Sequence, residues 1–329
     1  MGEFELLAKL RERLPDDHAR VVLGSGDDAA VTVPGGATAT SVDAIVEGVH
    51  FRRDECPLAV IGHKALATAL SDLAAMGAEP GEAYVALGAP PTMGEEELFE
   101  LLDGLLELAA RTGTAIAGGD LTRAPALTLA MTVVGHADSP QRFVTRGGAR
   151  PGDLLVLTGE IGGAAAGRLL LEDPSLAASV SEQTAALLRN RQLSPAPRLR
   201  SGRALARAGA RAMIDVSDGI GGDARHVAEA SGVAVHVDAA SLPLAKGVAE
   251  VAAAASVEPL QLAVSGGEDY ELLAAIPAEK LTEASSAIGE AAETTLTPVG
   301  VVQAGEGEVE IRLRGGSLEP RGFDHLGRP

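Results

Sequence analysis

Apolar positions recur along this chain at two periods, and the switching between them lays out the fold. Phe4, Leu7, Leu10 and Leu14 repeat at helical spacing as far as Pro15. Residues 38–42 read as a strand running into Asp43. Pro57 opens a helix that continues to Met76, and Gly77 suits its C-terminal cap. Residues 83–87 form a short strand, and 95–112 a helix with acids in its first turn and Gly113 behind its last. Residues 114–117 and 127–134 read as strands. A turn-rich run from Arg146 to Asp153 marks a boundary between a domain of residues 1–148 and one of residues 149–329. Beyond it come a strand at 154–157 and helical segments around 163–171, 181–188 and 198–208. A strand at 212–216 then meets Ser217-Asp218-Gly219 and turns into a helix. Residues 249–255 are an Ala-rich helix, and 233–237, 271–276, 297–302 and 308–313 are strands. Strands and helices mixed through both halves predict an α+β (α/β) protein of two domains, without solenoid repeats.

Composition narrows the function. Hydrophobic residues make up 46% of the 329, enough for ordinary cores, but aromatics are 2% and Trp is absent, so aliphatic side chains fill the interior. The formal net charge of −19 argues against a nucleic-acid binder and against docking on anionic membranes. A chain this acidic meets polyphosphate only with cations between them, and a divalent metal is the simplest. Cys56 is the single cysteine, which fits a reducing cytoplasm. The acidic start, Met1-Gly2-Glu3-Phe4-Glu5, has no signal-peptide pattern, and no run of about 18 uncharged apolar residues predicts a membrane span.

Short Gly- and Asp-rich segments carry the candidate chemistry. Gly24-Ser25-Gly26-Asp27-Asp28-Ala29 nearly fits a dinucleotide fingerprint, but its two carboxylates would repel a pyrophosphate, and Pro34-Gly35-Gly36 stops the helix that should follow. Two carboxylates on a Gly-flexed loop suit Mg²⁺, which takes oxygen ligands; an acidic surface turn is the plain alternative. Asp43 stands at a predicted strand end, where ligands collect in α/β folds. Asp72 lies on an otherwise apolar helix, where a carboxylate is costly unless it holds a metal or pairs with a group such as Lys64. Gly118-Gly119-Asp120 follows a short strand and offers close backbone approach beside an oxygen donor. In Asp215-Val216-Ser217-Asp218-Gly219, alternation puts Asp215 and Ser217 on one face, and Asp218 near a helix N-terminus that favours phosphate or is simply capped. Ser265-Gly266-Gly267-Glu268-Asp269-Tyr270-Glu271 is a further acidic loop, or a plain turn. Carboxylates repel, so the convergence of these segments on one pocket would imply a cation. With no P-loop, kinase signature or Cys/His cluster in the sequence, phosphate transfer would rest on metal positioning and electrostatics.

In their order, residues 24–29, Asp43, Gly48-Val49-His50-Phe51, residues 70–78 and 118–120, Thr145-Arg146, and residues 215–219 and 265–272 resemble the thiamine-monophosphate kinase family. That family lies within the aminoimidazole-ribonucleotide-synthetase superfamily. The runs L-S-D-L-A-A-M-G-A and S-G-G-E-D-Y-E-L, with G-x-H-F, carry the specificity, and the resemblance extends from Gly2 to His325. It implies ATP-dependent conversion of thiamine monophosphate to thiamine diphosphate, several Mg²⁺ ions, direct transfer and a homodimer. It also implies an N-terminal mixed-sheet domain that pairs across the dimer and a C-terminal α+β domain that completes the site. By motif, the metal ligands would be Asp28, Asp43, Asp72, Asp120, Asp215 and Asp218, with Asp27 an extra. Ser41 and Val42 stand where the family has Ser-Thr, so metal contact at Val42 would be through the backbone. Gly119, Asp120, Arg146 and Ser217 would meet ATP, with Asp120, Asp218 and Arg146 at the transferring phosphate. His50, Glu268 and Phe323 would hold the thiamine end, where a thiazolium cation suits a carboxylate and an aromatic face. The rival readings are another ATP-dependent enzyme of the superfamily, of the aminoimidazole-ribonucleotide or selenophosphate synthetase type, and a non-catalytic nucleotide- or cation-binding protein.

Overall fold

The computed structural model describes residues 3–15, 18–25, 29–291, 294–313, 316–320 and 322. It divides into two compact units: Met1–Leu73 with Ala78–Arg142, and Ala74–Gly77 with Phe143–Pro329.

The first unit starts with α1 (Glu3–Arg11) and a small antiparallel ribbon of β1 (Val21–Leu23) and β2 (Val31–Thr32). Then come β3 (Ala37–Val46), α2 (Leu58–Ala75), β4 (Glu79–Ala89), α3 (Glu95–Thr112), β5 (Ala115–Arg123) and β6 (Thr128–Ala137). The last four strands form one sheet in the order β3-β6-β4-β5. β6 runs antiparallel to both neighbours, while β4 and β5 are parallel and joined by α3. Alternation along β6 buries Leu129, Met131 and Val133, and Leu73 of α2 packs against Gly135 on the same face. α2 is the one helix among the described residues with the length and mean hydropathy, 1.2, of a membrane span. It carries Lys64 and Asp72, and 78% of it is buried in the protein, so it is a core helix.

β3 and β5 outrun their sequence-based limits, and two candidate sites move as a result. β3 continues through Asp43 to Val46, so Asp43 is interior to a strand rather than at its end. β5 runs through Gly118-Gly119-Asp120, which therefore lies within a strand and does not follow one. Ladder hydrogen bonds belong to the backbone, so a strand continues across glycine and acid once a neighbour is in register.

The second unit is β7 (Leu154–Thr158), α4 (Gly163–Glu172), α5 (Glu182–Leu193), α6 (Leu199–Ala208), β8 (Ala212–Asp215), α7 (Ile220–Ser231) and β9 (Val233–Asp238). It continues with α8 (Val248–Ala254), α9 (Pro259–Ser265), β10 (Leu272–Ile276), α10 (Leu281–Ala291), β11 (Leu296–Ala304), β12 (Val309–Leu313) and β13 (Gly316–Leu318). The strands form a mixed sheet, β13-β12-β9-β11-β7-β10-β8, in which only β9 and β12 are parallel neighbours. Leu155, Leu157, Ile214, Val235 and Leu273 of this sheet share a core with Ile220, Ala224 and Val227 of α7. A second cluster, Ala166, Leu170, Ala185, Leu188, Val248 and Val251, fastens α4, α5 and α8 together.

Candidate active-site residues

In the first unit the edge strand β3 and the helix α2 bring three candidates together. Alternation sets Ser41 and Asp43 on one face of β3, while Val42 points the other way and is 66% exposed. The Ser41 hydroxyl donates to the Asp72 carboxylate. Lys64, only 1% exposed, donates to the His50 carbonyl at 3.2 Å. Asp120 stands apart. Asp43 pairs with Met131, Met131 with Val85 and Val85 with Gly119, so Gly119 shares that row at the opposite sheet edge, roughly 14 Å away by strand spacing. Asp120 is next along β5 and exposed on the other face. Gly119 must be glycine, because a Cβ there would lie 2.2 Å from the Val85 carbonyl oxygen. Among the described residues, no three His, Cys, Asp or Glu side chains are gathered closely enough to hold a metal ion.

His50 lies in a tight turn after β3. The Val46 N–H donates to its Nδ1 at 3.1 Å, which leaves the proton of the neutral ring on Nε2. Burial pushes the nearby Cys56 thiol up to about 11, which removes it as a nucleophile at neutral pH.

The second unit joins two motifs that are distant in sequence. Leu272 of β10 pairs with Asp215 of β8, and the pairing continues beyond both strands. Val216 N–H donates to the Glu271 carbonyl at 2.7 Å, Tyr270 N–H to Val216 at 2.9 Å, and Glu268 N–H to Ser217 at 2.8 Å. A Cβ at Gly267 would sit 2.2 Å from the Ser217 carbonyl oxygen, so this approach admits only glycine. Glu268 and Tyr270 hold positive φ values of 70° and 50°, strain of the kind concentrated at functional sites.

Gly219 is the N-cap of α7 with no side-chain cap bond, so Ser217 and Asp218 are not spent on capping that helix. The Asp218 N–H instead donates to Asp223 at 3.2 Å. Burial, then the charges of Asp215 and Asp218, push the Asp223 carboxyl well above the usual range; the Asp218 N–H and Arg146 work against that rise. Arg146 is therefore close to these acids, and Thr145 beside it accepts from Met213 of β8 at 3.0 Å. Sequence reasoning missed Asp223; its one signal was an acid in the first turn of α7, five residues past Asp218.

The acids of the second loop have different partners. Asp269 accepts from Gly162 and Ala164 at the start of α4, at 2.6 and 3.0 Å, yet burial raises its carboxyl to about 7. Glu271 is gripped by the Arg198 guanidinium, with one contact of 2.9 Å, and by the Thr158 hydroxyl at 2.7 Å. Glu268 accepts from the side-chain amide of Gln192. Asp27, Asp28 and Phe323 lie outside the described residues.

Comparison with known proteins agrees across both units. Residues 26–137 match the AIR synthase related protein N-terminal domain, and residues 150–312 the C-terminal domain. The thiamine-monophosphate kinase of Escherichia coli K12 is 38% identical over 337 residues, covering 100% of this chain and 99% of that one. The crystal structure of thiamine-monophosphate kinase from Stenotrophomonas maltophilia K279a superposes with a TM-score of 0.82 at 35% identity, over 94% of this chain and 96% of that one. AaThiL complexed with AMPPCP and TMP gives a TM-score of 0.76 at 26% identity, over 99% and 97% of the two chains. With sequence and fold in agreement over nearly its whole length, the chain belongs to the thiamine-monophosphate kinase family, within the AIR synthase related proteins.

Proposed function

We infer that this protein phosphorylates thiamine monophosphate to thiamine diphosphate with ATP as donor. The observation that carries this is 38% identity to a thiamine-monophosphate kinase across 100% of the chain. A relative of the same fold that binds AMPPCP and TMP supports the substrate pair. The acceptor is already a phosphate anion, so one of its oxygens attacks the γ-phosphorus in line with little need of a general base. No phospho-enzyme is required, and the buried Cys56 offers no nucleophile.

The donor chemistry of the candidate residues suits Mg²⁺. The candidate set is all oxygen, and Asp223 is driven towards protonation partly by the crowding of Asp215 and Asp218, a repulsion that a divalent ion relieves. The ions would be held by Asp27, Asp28, Asp43, Asp72, Asp120, Asp215 and Asp218, with Ser41 and the backbone of Val42. When bound, they supply the neutralisation that lets two polyanions approach. Arg146 adds a fixed positive charge at the transferring group, Ser217 sits at the N-terminal side of α7 where phosphate is favoured, and Gly119 of β5 would meet the nucleotide. At the acceptor, His50 donates from Nε2, Glu268 faces the thiazolium cation and Phe323 supplies an aromatic surface.

The proposal extends to a homodimer, with β3 as the pairing element. β3 is a sheet edge whose outward positions include the exposed Val42, and Val22, Val31 and Val33 on and beside the β1–β2 ribbon are exposed as well. A lone cysteine is in keeping with a reducing cytoplasm. Acceptor-dependent release of ADP in the presence of Mg²⁺ tests the function. Asp120→Asn and Asp218→Asn should each lower kcat by about 100-fold or more while the thermal melt stays near wild type. Near-normal turnover in either variant would remove that residue from the site.

A further inference from the structure

Glu268 stands on a loop whose backbone is fixed from two sides. Its own N–H is bonded to Ser217 at 2.8 Å, Gly267 lies flat against the Ser217 carbonyl, and φ at Glu268 is 70°. Asp269, one residue on, is tied to the first turn of α4 at 2.6 and 3.0 Å, and Glu271 is clamped by Arg198 and Thr158. These contacts fix where the Glu268 Cα lies. They do not choose among the rotamers of a three-torsion side chain.

Gln192 contributes to that choice. It lies in the last turn of α5, is 5% exposed, and its amide nitrogen donates to Glu268 Oε2. α5 is a stiff support, since Leu188 and Ala185 are locked into the cluster shared with α4 and α8. The chemical type of the partner matters as much as its position. Arg191, adjacent in sequence, is directed to Glu160, contacting its carboxylate at 2.6 Å and its carbonyl at 3.1 Å, and Arg198 is directed to Glu271. A guanidinium on Glu268 would fix its carboxylate but cancel its charge. An amide donor holds a carboxylate without itself adding charge.

We propose that Gln192 is a positioning residue for the acceptor: it holds the Glu268 carboxylate towards the cationic ring of thiamine monophosphate. This rests on the reading of Glu268 as an acceptor-binding residue. Gln192→Leu should raise KM for thiamine monophosphate about 10-fold while KM for ATP moves by less than about twofold, as expected for one hydrogen bond to a charged group. Gln192→Glu keeps the shape of the side chain but sets a second carboxylate against the first, and should impair the acceptor KM at least as much as Leu. If Gln192 merely filled space, the Glu variant would behave as wild type. In the double variant Gln192→Leu/Glu268→Gln, the acceptor KM should be no worse than in Glu268→Gln alone, because the two residues act through one carboxylate.

Equal changes in both KM values, additive effects in the double variant, or a wild-type KM in Gln192→Glu each overturn the proposal. Thermal melts of all variants separate these outcomes from loss of fold. Should Glu268→Gln itself leave the acceptor KM unchanged, the failure lies in the reading of Glu268, and the role of Gln192 falls with it. Should Glu268→Gln raise that KM while Gln192→Leu does not, Glu268 keeps its role and only the assignment of Gln192 fails.

Discussion

Asp269 accepts two backbone N–H groups at the start of α4, an arrangement that by itself would stabilise its anion. Burial outweighs those bonds and leaves the carboxyl titrating at about 7. With the folded value raised above the unfolded one near 3.8, the native state holds a proton that the unfolded chain has released. The stability this contributes is complete below the unfolded value and is lost as pH rises through the folded one. Asp269→Asn removes the titration but keeps an acceptor. The Tm of the variant relative to wild type should therefore climb as pH is raised from about 5 to about 8. Parallel Tm curves over that range would show that Asp269 is ionised throughout. None of this is legible in the run Glu268-Asp269-Tyr270-Glu271, where three acids look alike. What separates them is a helix N-terminus about 105 positions away, an arginine 73 away and an amide 76 away.

Among elements, the α4–α5 pair depends on one close approach. A Cβ at Gly167 would lie 2.0 Å from the Leu188 carbonyl oxygen, a backbone atom that cannot swing aside. Gly167→Ala should thus cost roughly 2 kcal/mol through overpacking, more than the ~1 kcal/mol that alanine returns in helix propensity. Gly289, exposed on α10 with nothing within 4 Å of its Cβ position, is the control of opposite sign: Gly289→Ala should stabilise by about 0.5–1 kcal/mol. Chemical denaturation measures both; a loss at Gly289 or a gain at Gly167 would contradict the packing. The long amphipathic helices and buried strands were readable from their periods. α9 and α10 were not, since the seven residues of α9 give too few turns to repeat, and the buried face of α10 is Ala284, Ile288 and Ala291, where alanine makes a weak apolar signal. Strand ends were misjudged at Asp43 and Gly119 because a neighbouring strand, not local propensity, carries pairing across acid and glycine.

For the whole molecule, the homodimer proposed above pairs through the edge strand β3, and the exposed Val42 is the position where a charge should act most directly. Light scattering should give about twice the 33.3 kDa chain mass for the wild type and the single mass for Val42→Glu. A wild type at the single chain mass would overturn the dimer, and a variant that remains a dimer would move the interface off β3. Most of the helices and strands, an oxygen-only set of candidate ligands, the net charge of −19 and the family itself were legible in the linear sequence. They are local patterns and counts, and need no knowledge of neighbours. Tertiary structure decided which motifs touch. β10 lies between β7 and β8, which sets Glu268 beside Ser217; the turn into α7 brings Asp223 against Asp215 and Asp218, and the packing of α5 lets Gln192 reach Glu268. Periodicity fixes which way a side chain points within its own element. Its partner is fixed only when strands far apart in sequence become neighbours, and that choice belongs to the packing of the whole unit.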